Sequence, residues 1–380
     1  MSEGIRAHTL GNAGDPVPLR QGAPRSQAVE VLVPLVVLVL VGIIFLDGLR
    51  PSDLLVFLRA ARDVTHGANP YTATDNPFLW GGSAFVYPYL TAFLFVPLTW
   101  VPVPVAEVTW FAVSGAAVAV ACRLLGLRDP WGIAAVLLSA TCIRSFQVGA
   151  LNGLLLLAAA MLWRFRHRTG VAAAALTLLA GSKLFLLPMT VWVLLTRPRR
   201  TVLASAVALG GFLGLSVLLQ PVSVLEFLTA TRVLAQHEGP HSLSTLRLAS
   251  AVFTASTANL LPLLLGGGVL LGGVAYRLHH RESGDAVLFA SALVASLLAT
   301  PIYWSHYTLL VLAVVLLARP TRAAALVFAA STWLVAPPAL VPHLPYSPPL
   351  DLRLVFLYGG MVLAVLVTAR RSRRSCCRPD

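Results

Sequence analysis

Apolar segments, each long enough for one helix and separated by short arginine clusters, are the feature that most restricts this sequence. The run from Val29 to Leu46 alone can cross a bilayer as a helix. Charged residues make up 11% of the chain, whereas soluble domains contain roughly 25%. Only helices and closed barrels satisfy every backbone polar group in lipid. We therefore predict an all-α polytopic membrane protein that has the lipid bilayer as a partner.

The arginine clusters predict how the spans are oriented. If the proline-bracketed segment 88–101 lies at the membrane surface, every basic cluster falls on the side of the N-terminal tail. The positive-inside bias makes that side cytoplasmic. We therefore predict a multi-pass protein of the cell inner (plasma) membrane, with about a dozen crossings and both termini cytoplasmic. After the first span, the predicted crossings are 104–122, 131–146, 149–163, 169–182, 184–196, 201–219, 259–277, 285–300, 306–318, 322–341 and 353–369.

The same pattern divides the chain into three regions. Residues 1–28 are predicted to form a disordered cytoplasmic tail, residues 29–369 a transmembrane domain, and residues 370–380 a basic cytoplasmic tail. Within the domain, residues 47–103 form a predicted first external loop that is rich in charged and aromatic residues. Apolar and charged residues from Ser52 to His66 fall on two sides of a helix, which indicates a helix lying in the membrane interface.

The net charge of +13 has two explanations, membrane topology and nucleic-acid binding. The arginines form clusters between apolar segments rather than one stripe, so we favour topology and predict no nucleic-acid partner. The four cysteines lack metal-ligand spacing. His237 and His241 flank Glu238 in a loop, which is weak evidence for a metal. We predict neither a metal nor a cofactor.

Ionisable residues at the ends of membrane spans are costly, so we treat them as functional candidates. Asp53 begins the interfacial helix, either as a helix cap or as a base that deprotonates a hydroxyl group. Asp47 is the second candidate acid. Lys183, the only lysine of the chain, either binds a phosphate or extends to the lipid headgroups. The same two explanations apply to Arg144 and Arg247.

His306 begins a predicted span within the segment Thr300–Tyr307, which also contains Tyr303, Trp304 and Tyr307. The aromatic residues alone are typical of a membrane interface. The histidine is a candidate for binding a sugar or a phosphate, or for assisting proton transfer.

Several short motifs follow one another along most of the chain: Ser52–Ala61 with Gly67–Tyr71, Phe85–Leu90, Gln147–Gly149 with Asn152, Lys183, Ser242 with Leu243, and Pro301–His306. In order and spacing they resemble the GT-C-fold glycosyltransferases that use polyprenyl-phosphate sugars. The sequence is most similar to glycosyltransferase family 87, which includes polyprenol-phosphate-mannose-dependent α-mannosyltransferases of actinobacteria. Two motifs depart from the family pattern: Tyr87-Pro88-Tyr89 replaces a double proline, and Gln147–Asn152 is a loose form of a Gly-Gln-x-Asn run.

The resemblance implies a GT-C fold with about twelve transmembrane helices and an inverting sugar transfer on the extracytoplasmic face. The implied partners are a polyprenyl-phosphate sugar donor, with mannose as the first choice, and a glycolipid or lipoglycan acceptor of the cell envelope. By the same resemblance Asp53 and His306 are catalytic. Lys183, Arg59, Arg144 and Arg247 are the implied donor phosphate ligands. The implied substrate contacts are Asn69, Tyr71, Tyr87, Gln147, Asn152 and Trp304.

Three alternatives remain open at this point. Arabinofuranose could replace mannose as the transferred sugar, since related transferases use a polyprenyl-phosphate arabinose. A membrane transporter or lipid flippase would also explain many spans with external charges, although the sequence shows no convincing repeat. A structural or assembly factor is the third class.

Overall fold

The computed structural model describes residues 27–46, 51–74, 76, 79, 84–252, 260–280, 284–335 and 350–376. Within these ranges the chain is mostly helical and contains no β-strand, as expected for an all-α protein. Most of the predicted tail 1–28 and the alternative acid Asp47 lie outside the described residues.

Sixteen α-helices occur in the described ranges. They are α1 Gln27–Leu46, α2 Ser52–Thr65, α3 Val103–Leu124, α4 Pro130–Leu137, α5 Ala140–Val148, α6 Asn152–Arg164, α7 Thr169–Leu176, α8 Met189–Thr196, α9 Arg199–Leu219, α10 Val224–Glu238, α11 Thr245–Val252, α12 Leu260–His279, α13 Gly284–Ala299, α14 Val311–Ala318, α15 Arg322–Val335 and α16 Leu350–Cys376. Helix α16 therefore continues into the segment predicted to be a basic tail.

Four helices of the described chain are long and apolar enough to cross a bilayer: α3, α9, α12 and the segment Leu352–Ser372 of α16. A fifth span results if α4 and α5, which meet at an angle of 55°, cross together. Most other predicted crossings correspond to apolar helices of 10–17 residues. The chain is thus a multi-pass membrane protein, but helix length alone accounts for fewer crossings than the dozen predicted.

The predicted span 131–146 is broken in the middle. Helix α4 ends at Leu137 and α5 begins at Ala140. Between them Ser139 has an extended backbone, and its hydroxyl accepts a hydrogen bond from the Cys142 amide. A serine in this position caps a new helix rather than continuing the old one. The hydropathy of the sequence does not predict the bend between α4 and α5, because the residues on both sides of it are apolar.

The proline-bracketed segment forms a 3₁₀ helix from Tyr89 to Trp100. It packs against α2, where the rings of Phe57 and Phe95 stack with centroids 4.2 Å apart. Phe57 is completely buried by these neighbours. The apolar residues of α2, which the sequence pattern places on one side of the helix, form a buried face. Arg59 and Arg62 are exposed on the other face.

An ion-pair cluster joins α6, α8 and α13 at one end of the bundle. The Asp285 carboxylate contacts the Arg197 guanidinium at 2.5 Å and Arg166 Nε at 3.6 Å. It also accepts a hydrogen bond of 2.7 Å from Trp192 Nε1. The Arg197 side chain is only 5% exposed, so this pair is shielded from water.

We expect Asp285→Asn to lower the thermal unfolding midpoint in detergent. The substitution leaves two arginines without their shared anion, and breaking such a buried pair costs about 3 kcal/mol. Glu30→Gln is the matched control, because Glu30 contacts Arg123 at 3.8 Å with both side chains about 40% exposed. An exposed pair of this kind contributes about 1 kcal/mol or less. Equal effects of the two substitutions would contradict the assignment.

Candidate active site

One cavity has a volume of about 550 Å³, and we call it the main cavity. Its walls come from α2, residues 84–87, α5, the connection between α7 and α8, α10, and residues 300–307. Six residues predicted to form the site line it: Asp53, Tyr87, Arg144, Lys183, Trp304 and His306. They are distant in sequence, and helix packing brings them to one space.

Lys183 occupies a break in the helical structure. A π-helical turn, Thr177–Gly181, ends α7, and Lys183 follows with an extended backbone. Gly181 permits this turn to lie against α9, because a Cβ there would come within 2.9 Å of the Phe212 ring. Turns of this kind are frequent at functional sites. Here the turn places the only lysine of the chain in the main cavity.

Aromatic rings surround the Lys183 ammonium group. Its Nζ donates a hydrogen bond of 2.8 Å to the Tyr307 hydroxyl. It also lies 4.1 Å from the centroid of the Tyr307 ring and 5.0 Å from that of Tyr87. Such rings attract a cation without neutralising it. Lys183 is only 6% exposed, so the snorkelling arrangement towards lipid headgroups does not apply.

Asp53 lies in the first turn of α2 and points its carboxylate into the main cavity. Pro51 is the N-cap residue, and no side chain caps this helix, so Asp53 is not used as a cap. Among the described residues, its only hydrogen bond comes from Ser52 Oγ at 3.5 Å, and no ion pair within 4 Å is formed. Burial raises the pKa of Asp53, and Lys183, Ser52 and Arg144 partly offset this rise.

Arg144 projects from α5 into the same cavity. No described residue forms a hydrogen bond or ion pair with its guanidinium group. Its position depends on Gly149, which ends α5 with a left-handed φ of 69°. A Cβ on Gly149 would come within 2.6 Å of Leu54 Cβ on α2. Glycine thus satisfies both the backbone conformation and the close approach of the two helices.

His306 lies in a 3₁₀ helix, Ser305–Leu310, that leads into α14. Its ring is buried, and Nε2 has no hydrogen-bond partner in the described part of the chain. Asn152 Nδ2 donates a hydrogen bond of 2.7 Å to the His306 carbonyl oxygen. Asn152 therefore positions this backbone and does not itself line the main cavity.

The remaining predicted site residues lie elsewhere. Gln147 is buried in α5, and Arg59 and Arg247 line neither this cavity nor the other described ones. Asn69 and Tyr71 border a separate, smaller cavity. The geometry therefore groups Lys183 with Arg144 but not with Arg59 or Arg247, whose roles stay predictions without structural support.

Three other lining residues were not assigned from the sequence: Tyr307, Phe185 and Thr231. Glu238, which the sequence placed only between two histidines, lines the cavity as well. Tyr307 and Phe185 adjoin assigned residues and contact Lys183. Glu238 ends α10, with its carboxylate 3.5 Å from His237 Nδ1. Neither the periodicity of the sequence nor the spacing of its motifs predicts that α10 lines the main cavity. In the described residues, no group of three or more His, Cys, Asp or Glu side chains is arranged to hold a metal.

The fold and the cavity together define a membrane protein in which one unpaired carboxylate faces a lysine and an arginine. A sequence model of glycosyltransferase family 87 matches residues 85–301, more than half of the chain, and the chain belongs to this family. It is therefore a membrane glycosyltransferase. The match contains Arg144 and Lys183, whereas Asp53 and His306 lie outside it. No curated protein and no solved structure matches this sequence.

We expect the main cavity to bind decyl phosphate, a simple lipid phosphate, through its two cations. Lys183→Met or Arg144→Gln should each weaken binding tenfold or more, because each removes a charge-assisted hydrogen bond worth about 1.5–3 kcal/mol. Calorimetry on the protein in nanodiscs measures the affinity. Arg59→Gln is the control, since Arg59 lies outside the cavity. The expectation fails if Arg59→Gln weakens binding as much as the cavity substitutions do.

Proposed function

We propose that this glycosyltransferase moves a hexose, with mannose as first choice, from a polyprenyl-phosphate donor to a glycolipid or cell-envelope glycan acceptor. The transfer is inverting and takes place on the extracytoplasmic face. One observation carries the proposal: the Asp53 carboxylate shares a cavity with Lys183 and Arg144 and forms no ion pair with either. A base and a phosphate-binding pair therefore remain available together.

The reaction assigns a separate task to each side of the cavity. The acceptor hydroxyl gives its proton to the Asp53 carboxylate while its oxygen attacks the anomeric carbon of the sugar. The bond between this carbon and the phosphate oxygen breaks, and the electron pair leaves with the lipid phosphate. Lys183 Nζ and the Arg144 guanidinium group stabilise the added negative charge. Because the attack comes from the face opposite the phosphate, the anomeric configuration inverts.

His306, Trp304 and Tyr87 are the proposed contacts of the donor sugar. Trp304 lines the cavity and is 36% exposed, so it can offer an apolar surface to a sugar ring. His306 Nε2 is a buried polar atom without a partner among the described residues, so a substrate oxygen or hydroxyl would satisfy it. The donor is already activated by its phosphate, and the proposed reaction uses no cofactor.

Chain direction supports an extracytoplasmic site within a GT-C-like bundle. Helix α7 begins beside Arg168, the chain turns at Lys183, and α8 returns to Arg197. Lys183 therefore lies at the opposite end of this hairpin from the arginine cluster, which the positive-inside bias makes cytoplasmic. The proposed number of crossings is twelve if the four long helices, the pair of α4 and α5 as one span, and every shorter apolar helix except Tyr89–Trp100 cross the bilayer.

We expect Asp53→Asn to abolish sugar transfer in membranes supplied with radiolabelled polyprenyl-phosphate mannose and a native lipid extract. The loss should be about 10²–10⁴-fold, because the amide cannot accept the proton. Asp63→Asn is the matched control, since Asp63 lies on the same helix but outside the main cavity. Activity of Asp53→Asn equal to wild type would remove Asp53 as the base.

The same assay separates the alternatives. If wild type is inert with mannose but active with polyprenyl-phosphate arabinofuranose, the sugar assignment changes and the site remains. If it is inert with both donors, neither mannose nor arabinofuranose is the transferred sugar.

We expect the acid limb of the pH–rate profile to lie above the usual range of a carboxyl group. Burial raises the pKa of Asp53, and only the deprotonated carboxylate accepts a proton, so activity falls as pH drops through that raised value. Lys183 lowers this pKa. Lys183→Met should therefore move the limb to still higher pH in its residual activity, while Arg59→Gln leaves the limb in place. A shift towards lower pH in Lys183→Met would contradict the assignment.

A further inference from the structure

A second cavity of about 240 Å³ lies beside the main cavity, between residues 69–74 and α10, and we call it the side cavity. Leu79, Val86, Phe227 and Thr231 line both cavities. The two cavities are therefore adjacent and share part of their walls.

Polar side chains and aromatic rings characterise the side cavity. Its described wall contains the polar residues Asn69, Thr72, Thr74 and Thr231 and the carboxylate of Glu226. Tyr71 and Phe227 provide the aromatic surface, with ring centroids 5.5 Å apart at an angle of 71°. Sugar rings have the matching surface, because hydroxyl groups surround apolar C–H faces.

Several polar atoms in this wall remain available to a ligand. Asn69 uses its side-chain oxygen to accept a hydrogen bond from the Tyr71 amide, which leaves its NH₂ group. Glu226 uses Oε2 for the Ser223 amide in the capping box of α10, which leaves Oε1. Within the described chain, the hydroxyl groups of Thr72 and Thr74 form no hydrogen bond. These donors and acceptors fit a polyhydroxylated ligand.

Charge distinguishes the two cavities. The main cavity contains Lys183 and Arg144, whereas none of the described residues lining the side cavity is lysine, arginine or histidine. Among the described residues of its wall, the one charged residue is Glu226, which repels anions. The main cavity also contains Asp53 and Glu238, but of the two cavities it alone has described cations that can bind a phosphate. The side cavity therefore suits a neutral ligand better than an anion.

We propose that the side cavity binds a neutral sugar unit of the acceptor, adjacent to the sugar whose hydroxyl group reacts in the main cavity. This inference rests on the proposed function and names its acceptor class: a glycan or glycolipid with at least two sugar units. The donor phosphate and the acceptor glycan then reach Asp53 from differently charged spaces.

The test fills the side cavity and leaves the main cavity open. Ala230 lines only the side cavity, so Ala230→Phe places a ring inside it. Thr229→Phe adds the same ring to the same helix at an exposed position that lines neither cavity. The probe is methyl α-mannobioside, a neutral disaccharide. Its binding to the full chain in nanodiscs is followed by saturation-transfer NMR.

We expect wild type and Thr229→Phe to bind the disaccharide equally, and Ala230→Phe to bind it at least tenfold more weakly. Wild-type affinity in Ala230→Phe, or no disaccharide binding to wild type, overturns the proposal. If Ala230→Phe fails to fold, as judged by its melting temperature, Ala73→Phe blocks the same cavity from the opposite wall and decides the question. Disaccharide binding is measured without the donor, so it does not depend on sugar transfer. An inactive wild type in the transfer assay would refute the proposed reaction, whereas the binding result would still test the side cavity.

Discussion

The close approach of α2 to α5 at Gly149 is the constraint on which the site depends. A side chain at this position would collide with Leu54, and the glycine carbonyl group also accepts a hydrogen bond of 3.0 Å from Trp110 Nε1 on α3. Three helices therefore meet at one residue. Because Asp53 precedes Leu54 on α2 and Arg144 lies on α5, this contact decides that a carboxylate and a guanidinium group face one space. The connection between α7 and α8 then adds Lys183.

The site also depends on keeping opposite charges apart. A lysine and an aspartate in a poorly solvated cavity would be expected to pair. Here Lys183 instead donates to the Tyr307 hydroxyl and lies over aromatic rings, and Asp53 keeps only a weak contact with Ser52. The aromatic rings thus stabilise the ammonium group of Lys183, and the Asp53 carboxylate stays free of an ion pair with it.

Ionisable residues in an apolar chain could be chosen as site candidates from the sequence. Asp53, Lys183 and His306 are examples, and the structure brings all three to the main cavity, while their roles stay predictions. Arg59 was a phosphate ligand only by the family resemblance, and the structure leaves it on the charged, exposed face of α2 that the sequence pattern predicts. Tyr307 and Thr231 are of residue types that occur many times in the chain, so no sequence feature marks them as lining the main cavity. Asn69 and Tyr71 were implied substrate contacts, but the side cavity that they border was not predictable, since its other wall comes from α10, which is distant in sequence. The break at Ser139 likewise depends on a hydrogen bond that hydropathy does not register.

The single lysine also has a consequence for the chemistry of the whole molecule. Every other basic side chain that carries a permanent charge is an arginine, so the Lys183 side chain provides the only internal primary amine in the protein. Amine-selective acylating or crosslinking reagents therefore have one internal target, and it lies in the cavity that contains Asp53. Only reagents small enough to pass the surrounding rings can reach it. The cavity can thus be labelled in a chain of 380 residues without introducing a new functional group.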